Sequence, residues 1–313
     1  MPLKIKEYLL KIIYRLIYLV VRILSYIPFH ICQLIGRTLG LLFDLIPMKR
    51  TDVSLDNLRY VFKGDLTENE IRRLNRRVLM HFGEMLFEIP HLFRLNSENL
   101  NNYVIFENQQ NLLAALDKGK GVFALTAHLG NWELLNTASP LYFGMKTAAV
   151  ARPIDFLPVE RLFSDLRSRF GTDLIQKQRG IKRILKAIKD KSLVGILLDQ
   201  SVDWYEGVFV EFMGRPACTN KALARLALKT GAPVVPAFCV KQPDGRYKII
   251  FDEEVKIQIS GDKTVDVEQN TALFTAIIEK HVREYPEQWF WFHRRWKVKN
   301  YCPLPGDKFL NKN

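Results

Sequence analysis

From about residue 103 onward, short apolar runs alternate with amphipathic stretches. Residues 103–106, 122–127, 147–151 and 193–198 are apolar or small and too short for helices. Runs of this kind, bounded by turn residues, read as strands buried in a parallel sheet. Helical spacing fills the intervals at 109–117, at 131–138, from about Pro158, and at 180–190. This alternation predicts an α/β fold with a largely parallel central sheet flanked by helices. Residues 208–212 with Gly214, Arg215 and Pro216 read as a strand and turn, and Thr219 as the cap of a helix over 220–229. Residues 233–240 and 247–251, joined through Pro243, Asp244 and Gly245, read as a hairpin closing the sheet. A last amphipathic helix is expected over roughly 267–284.

The first fifty residues follow a different pattern. Residues 3–27 are helical in spacing and almost entirely apolar apart from a few cations. At about 100° per residue, Lys4, Lys11, Arg15 and Arg22 fall within about 40° of one another, a basic stripe on an apolar cylinder. That is the pattern of an interfacial helix. Spanning a bilayer would put Arg15 near the midplane at about 2.5–3.5 kcal/mol, although the segment is long enough. A cleaved signal peptide fits poorly, because cations interrupt the apolar core, no small-residue cleavage site follows, and a second apolar helix comes next. Pro28 ends the first helix; residues 31–45 form the second, which Pro47 ends. The expected organisation is a membrane-attachment segment over 1–47 and a single α/β domain over 48–313. Thr67 and Glu70 form a capping box that opens a long helix through about His81 and on to Ile89, before Pro90. His81 and His91 have no partner by spacing and read as structural.

Composition sharpens this picture in two ways. A chain of 313 residues, 48% hydrophobic, can bury a full core. Its net charge of +13 is uneven, since residues 1–50 hold eight cations against two acids. Basic charge beside apolar surface suits an anionic membrane or a phosphorylated lipid, and no nucleic-acid reader motif accompanies it, so nucleic acid is not an expected partner. Cys32, Cys218, Cys239 and Cys302 have no metal-ligand spacing and are too sparse for a disulfide framework, which fits a reducing, cytoplasm-facing location. Gly-x-Gly-x-x-Gly, a P-loop and Gly-x-Ser-x-Gly are all absent.

The candidate chemistry centres on residues 121–135. His128 falls at the carboxyl end of a buried strand, where open α/β sheets place their ligands. Gly130 permits a turn, Asn131 is a candidate N-cap, and Glu133 then lies in the first helical turn, where it can reach back to the imidazole. A carboxylate on one ring nitrogen fixes the tautomer and leaves the other to take a proton from a hydroxyl. The alternative is a structural histidine beside a capping acid. Arg152 follows the next strand, also at a carboxyl end. Arg167 and Arg169, 200° apart on a helix, share one site only if the helix ends there, as Gly171 suggests. Asp199 and Gln200 end the strand at 193–198, so Asp199 faces the same crevice, placed to bind a hydroxyl or an arginine. Lys182, Arg183, Lys186 and Lys189 share one helix face, read either as solvated or as a docking surface for an acidic carrier protein. Residues 286–297, dense in aromatics and cations, suit either a membrane interface or a core cover.

His128, four intervening residues and Glu133 resemble the histidine-acid motif of the bacterial lipid A biosynthesis acyltransferases, membrane-bound relatives of the glycerolipid acyltransferases. The resemblance continues in order through Asn57 and Leu58, Arg152 and Pro153, Arg167 to Gly171, Asp199 and Gln200, residues 208–216 and residues 286–297. It implies an N-terminal membrane anchor, a place at the inner (cytoplasmic) membrane with the catalytic domain facing the cytoplasm, and transfer of a fatty acyl chain from acyl carrier protein to a hydroxyl of a lipid A precursor. His128 would be the general base and Glu133 its orienter. Arg152, Arg167, Arg169 and Asp199 would position substrate; the first arginine of the Arg-x-Arg pair is the functional one in the family. No metal or organic cofactor is expected, because a thioester is already activated. Rival readings are acylation of a lysophospholipid, a mannosylated phosphoinositide or an aminolipid, a hydrolase, and a non-catalytic lipid-binding protein.

Overall fold

The computed structural model describes residues 3–46, 48–178 and 180–297. Among the described residues, four α-helices precede the first strand: α1 (Leu3–Leu24), α2 (Phe29–Phe43), α3 (Lys49–Val61) and α4 (Glu68–Leu92). The α/β part then runs β1 (Val104–Glu107), α5 (Gln109–Asp117), β2 (Val122–Thr126), α6 (Trp132–Phe143), β3 (Thr147–Ala151), α7 (Leu157–Arg167), β4 (Asp173–Gln176), α8 (Ile181–Lys189) and β5 (Leu193–Leu197). It ends with β6 (Gly207–Phe212), β7 (Arg215–Asn220), α9 (Ala222–Thr230), β8 (Val234–Lys241), β9 (Tyr247–Phe251) and α10 (Lys263–Glu284).

Seven strands form one sheet in the order β1-β9-β8-β2-β5-β3-β4. Every neighbouring pair is parallel except β8 and β9, the antiparallel hairpin. The expected α/β architecture therefore holds. β2 is buried along its whole length, which is why it reads as an unbroken apolar run. Its two faces feed two cores. Phe123 and Leu125 pack with Ile188 of α8, Leu223 of α9 and Phe274 of α10, whereas Val122 and Ala124 pack with Leu134 of α6 and Leu162 of α7.

Several elements depart from the sequence reading. α4 continues through Pro90 to Leu92; the missing proline N–H costs one helical hydrogen bond, offset by burial of Ile89, Pro90, His91 and Leu92. Its capping box forms as expected, with Thr67 accepting from the Glu70 backbone and the Glu70 carboxylate accepting from Thr67. Thr219 caps nothing, because it lies inside β7, paired with Val208 of β6. Met213 and Gly214 make the tight turn of that hairpin with φ of 55° and 73°, as a primed turn requires. α10 starts earlier than expected, at Lys263, where Asp262 accepts from the Thr264 and Val265 backbones.

α1 and α2 lie on the α/β part. α2 and α4 approach so closely that a Cβ on Gly36 would sit 2.3 Å from the Gly83 carbonyl oxygen, and one on Gly40 2.3 Å from that of Leu79. α1 contributes Ile17 and Val21 to the core beside α7, and Tyr14 donates to Asp165 at 2.5 Å. Among the described residues no single helix is long and apolar enough to cross a membrane; α1 and α2 pass that test only as a pair bent by 118°. Pro47 and Cys302, named above, lie outside the described residues. Cys32, Cys218 and Cys239 are buried.

Candidate active site

Thr126 and Leu197, the last residues of β2 and β5, are register partners. His128 and Asp199 each lie two residues further on, so parallel pairing sets them side by side at the carboxyl edge of the sheet. His128 Nδ1 is 2.8 Å from Asp199 Oδ1, while Asp199 Oδ2 accepts the His128 backbone N–H at 2.9 Å and Trp289 Nε1–H at 2.8 Å. Asp199 is 3% exposed. Burial pushes its pKa up, but the His128 imidazole and these hydrogen bonds outweigh burial and hold it down at about 2. An ionised carboxylate only accepts, so Nδ1 carries the ring proton and Nε2 is left free to take another. The Gln200 amide nitrogen lies 3.4 Å from Nε2.

The turn carrying His128 admits little variation. Gly130 has φ of 62°, and a Cβ there would lie 1.8 Å from the Cys239 carbonyl oxygen, so only glycine fits. The Gly130 N–H donates to Gln288 O, the Asn131 N–H to Cys239 O, and the Phe290 N–H to His128 O. Asn131 caps α6 by accepting from the Leu134 N–H at 2.9 Å. His81, expected to be structural, lies against this turn with Nε2 3.4 Å from Gly130 O; burial lowers its pKa to about 4 and keeps it neutral. His91 is buried edge-on to Phe29.

One expected pairing is corrected. Glu133 lies in the first turn of α6 as the spacing indicated, yet its carboxylate does not hold His128. It grips Arg167, at 2.8 Å from Nε and 2.5 Å from Nη2, and accepts from Trp132 Nε1 at 3.1 Å. The reason is placement: Arg167 is the last residue of α7, and its planar fork meets both oxygens of Glu133, while the position beside the imidazole is already filled from β5. Arg169 is the second correction. Its guanidinium turns away, donating to Leu92 O at the end of α4 and lying over Phe170, and it does not line the cleft. Arg152 is at the cleft rim, largely exposed and paired with Asp155.

His128, Glu133, Arg152, Arg167 and Gln200 all line one open cleft of about 2040 Å³, whereas Asp199, expected to position substrate there, does not, because His128 and Trp289 occupy both its oxygens behind the wall. Its walls mix that polar cluster with apolar surface such as Leu135, Ile184, Leu193 and Leu226. The aromatic stretch near residue 290 proves to be core: Trp289 and Trp291 are 1% and 0% exposed, and Trp289 reaches Asp199 from behind. Sequence reading missed this contact. A tryptophan 90 residues from its partner leaves no local signal, whereas the equal offset of His128 and Asp199 from their strand ends could have paired them. The cations of α8 are exposed, with Arg183 paired to Asp173.

The model of the family described as bacterial lipid A biosynthesis acyltransferase matches residues 3–298. The chain belongs to that family. Among relatives of this lipid A acyltransferase family member, a lipid A biosynthesis acyltransferase of Haemophilus influenzae is 24% identical over 271 residues, 86% of this chain and 82% of the relative. The lipid A biosynthesis lauroyltransferase of Escherichia coli is 24% identical over 278 residues, 87% of each chain. A phosphatidylinositol mannoside acyltransferase of Mycolicibacterium smegmatis is 24% identical over 189 residues, 59% of this chain and 60% of the relative. Among solved structures, the 1-acyl-sn-glycerophosphate acyltransferase of Thermotoga maritima aligns with a TM-score of 0.36 and 14% identity, covering 75% of this chain and 97% of that one.

Proposed function

We propose that this acyltransferase moves a fatty acyl chain from the thioester of acyl carrier protein to a hydroxyl of a lipid A precursor, forming an ester on a hydroxyacyl chain of that glycolipid. The observation that carries the reading is the His128–Asp199 pair at the mouth of a cleft that is both apolar and cationic. His128 Nε2 takes the acceptor hydroxyl proton as the oxygen attacks the thioester carbonyl carbon. Asp199 stabilises the imidazolium that forms, and the tetrahedral intermediate collapses with the carbon–sulfur bond breaking and the proton passing to the departing thiolate. The products are the ester and the free thiol. Arg167, held by Glu133, presents a fixed positive charge to phosphate or to a developing oxyanion. The exposed apolar surface of α1 and α2 supports attachment to the cytoplasmic face of the inner membrane, with residues 1–47 as the attachment segment. The cations of α8 are a candidate docking face for the acidic carrier.

The similarity to phosphatidylinositol mannoside acyltransferases supports a second reading, in which the acceptor is a mannosylated phosphoinositide. Membranes containing the protein, given radiolabelled lipid A precursor or mannosylated phosphoinositide with either acyl carrier protein or coenzyme A charged with several chain lengths, separate the two. The expected result is label in the lipid A precursor, lost in His128→Ala. Transfer to the phosphoinositide alone, or from acyl-coenzyme A alone, would overturn the acceptor or donor assignment.

A further inference from the structure

Behind the catalytic turn, on the buried face of α4, lies a further carboxylate that the mechanism does not use. Glu88 is 1% exposed and accepts from four side chains on four different elements. Oε1 takes Gln33 Nε2 of α2 at 2.8 Å and Lys241 Nζ of β8 at 3.2 Å; Oε2 takes the Tyr247 hydroxyl of β9 at 2.6 Å and Asn131 Nδ2 at 3.2 Å. Lys241 also pairs with Glu84 at 2.9 Å, so the cluster holds one cation between two acids. Burial of a charge on this scale persists only when its acceptor sites are filled.

The fourth partner gives the cluster a bearing on chemistry. Asn131 faces two ways: its Oδ1 caps α6 through the Leu134 N–H, and its Nδ2 is committed to Glu88. It is the end residue of the turn that begins at His128, and its own N–H is tied to Cys239 O on the strand that supplies Lys241.

We propose that Glu88 is a positioning residue for His128, acting through Asn131 to fix the catalytic turn against α4 and β8. This inference rests on the reading of His128 as the general base. Misplacing a reacting group by about 1 Å is enough to cost about 10²-fold in rate, so slackness in this turn falls on kcat rather than on substrate binding.

The test exchanges donor and acceptor. Asn131→Asp keeps the oxygen that caps α6 but sets a carboxylate against Glu88; Glu88→Gln removes the anion and supplies an amide N–H. Each single variant is expected to lose about ten- to a hundredfold in kcat with KM held, because the turn loosens while the cleft is unchanged. Amide exchange at Gly130 and Asn131, measured without substrate, should quicken in both. The double variant Glu88→Gln with Asn131→Asp rebuilds the contact with roles reversed, and both kcat and exchange should recover towards wild type. A residue that merely supports the fold would give losses that add in the double variant. Additive losses, or full kcat in Asn131→Asp, would overturn the proposal. If Glu88→Gln does not fold, Asn131→Asp, which retains its cap, decides by its kcat and exchange. Failure of the catalytic reading appears separately, as wild-type protein that transfers no acyl chain from any thioester, and the exchange data still report on the Glu88 link.

Discussion

Two buried carboxylates lie near His128 and do different work. Asp199 accepts from His128 Nδ1, from the His128 backbone and from Trp289, whereas Glu133 is occupied by Arg167 and Trp132. The difference decides which substitution disables proton transfer. Asp199→Asn presents an amide N–H to Nδ1, turns the imidazole to the wrong tautomer and removes the charge that stabilises the imidazolium. By analogy with the same exchange in a Ser-His-Asp triad, kcat should fall by about 10⁴-fold with KM little changed. Glu133→Gln leaves the dyad whole but strands the Arg167 guanidinium, whose side chain is 16% exposed. Breaking a buried pair by removing one partner costs about 3–5 kcal/mol, so this variant should show a lower Tm and a higher KM, with the surviving activity keeping the wild-type pH profile. Steady-state kinetics over pH, beside thermal melts, distinguish the two. A collapse of kcat in Glu133→Gln at unchanged Tm would mean that Glu133, and not Asp199, governs the base.

At the level of elements, what was legible in the sequence is what burial stamps on it. β2 and β5 read as strands because the sheet interior demands apolar side chains on consecutive positions, and α5 and β3 appear over the very residues expected, 109–117 and 147–151. β4 and β7 did not show. Only Ile175 of β4 is buried at the sheet edge, and β7, Arg215–Asn220, pairs with β6 alone, so neither carries a continuous run. The turn at Gly130 and Asn131 was legible for a local reason, a glycine followed by a cap, while the partners of His128 and Glu133 depend on which elements become neighbours: Asp199 could be paired with His128 only once β2 and β5 are known to be adjacent, and Arg167 with Glu133 only once α7 is known to pack on α6. Helix contacts show the same limit. α2 looks like a helix, but its Gly36 and Gly40 signal their purpose only against Gly83 and Leu79. Gly36→Ala would put a methyl 2.3 Å from the Gly83 carbonyl oxygen, where backbone cannot yield cheaply. The expected loss is about 1–3 kcal/mol, read as a lower midpoint in thermal or denaturant unfolding, with the His128 chemistry intact in the protein that remains folded. An unchanged midpoint would show that the two helices separate freely and that their close packing contributes nothing to stability.

The whole molecule presents its apolar surface unevenly. Ile5, Leu9, Ile12, Leu16, Leu19 and Ile23 recur at alternate steps of four and three along α1 and are all exposed, while Ile17 and Val21 of the same helix face the core. α2 adds Leu34, Leu41, Leu42 and Phe43, also exposed. A folded protein has no internal use for such a stripe, and contiguous exposed apolar surface of this kind marks a contact with lipid or another protein. Lys11 and Arg15 beside it favour an anionic lipid surface, at about 1 kcal/mol per cation near the headgroups. Burying one leucine or isoleucine side chain contributes about 1.5–3 kcal/mol, so three of them dominate over two cations. Binding to vesicles of anionic phospholipid should therefore weaken with salt without vanishing. The variant Leu16→Glu, Leu19→Glu, Ile23→Glu alters side chains that are 57%, 56% and 60% exposed, so it should fold and melt like wild type while its vesicle flotation drops at least about tenfold, since each 1.4 kcal/mol is a factor of ten. Transfer to acceptor dispersed in detergent should survive, because none of the three lines the cleft. Equal flotation of variant and wild type would move the lipid contact off α1, and flotation that disappears in salt would make it electrostatic, with the apolar stripe left to cover a protein partner instead.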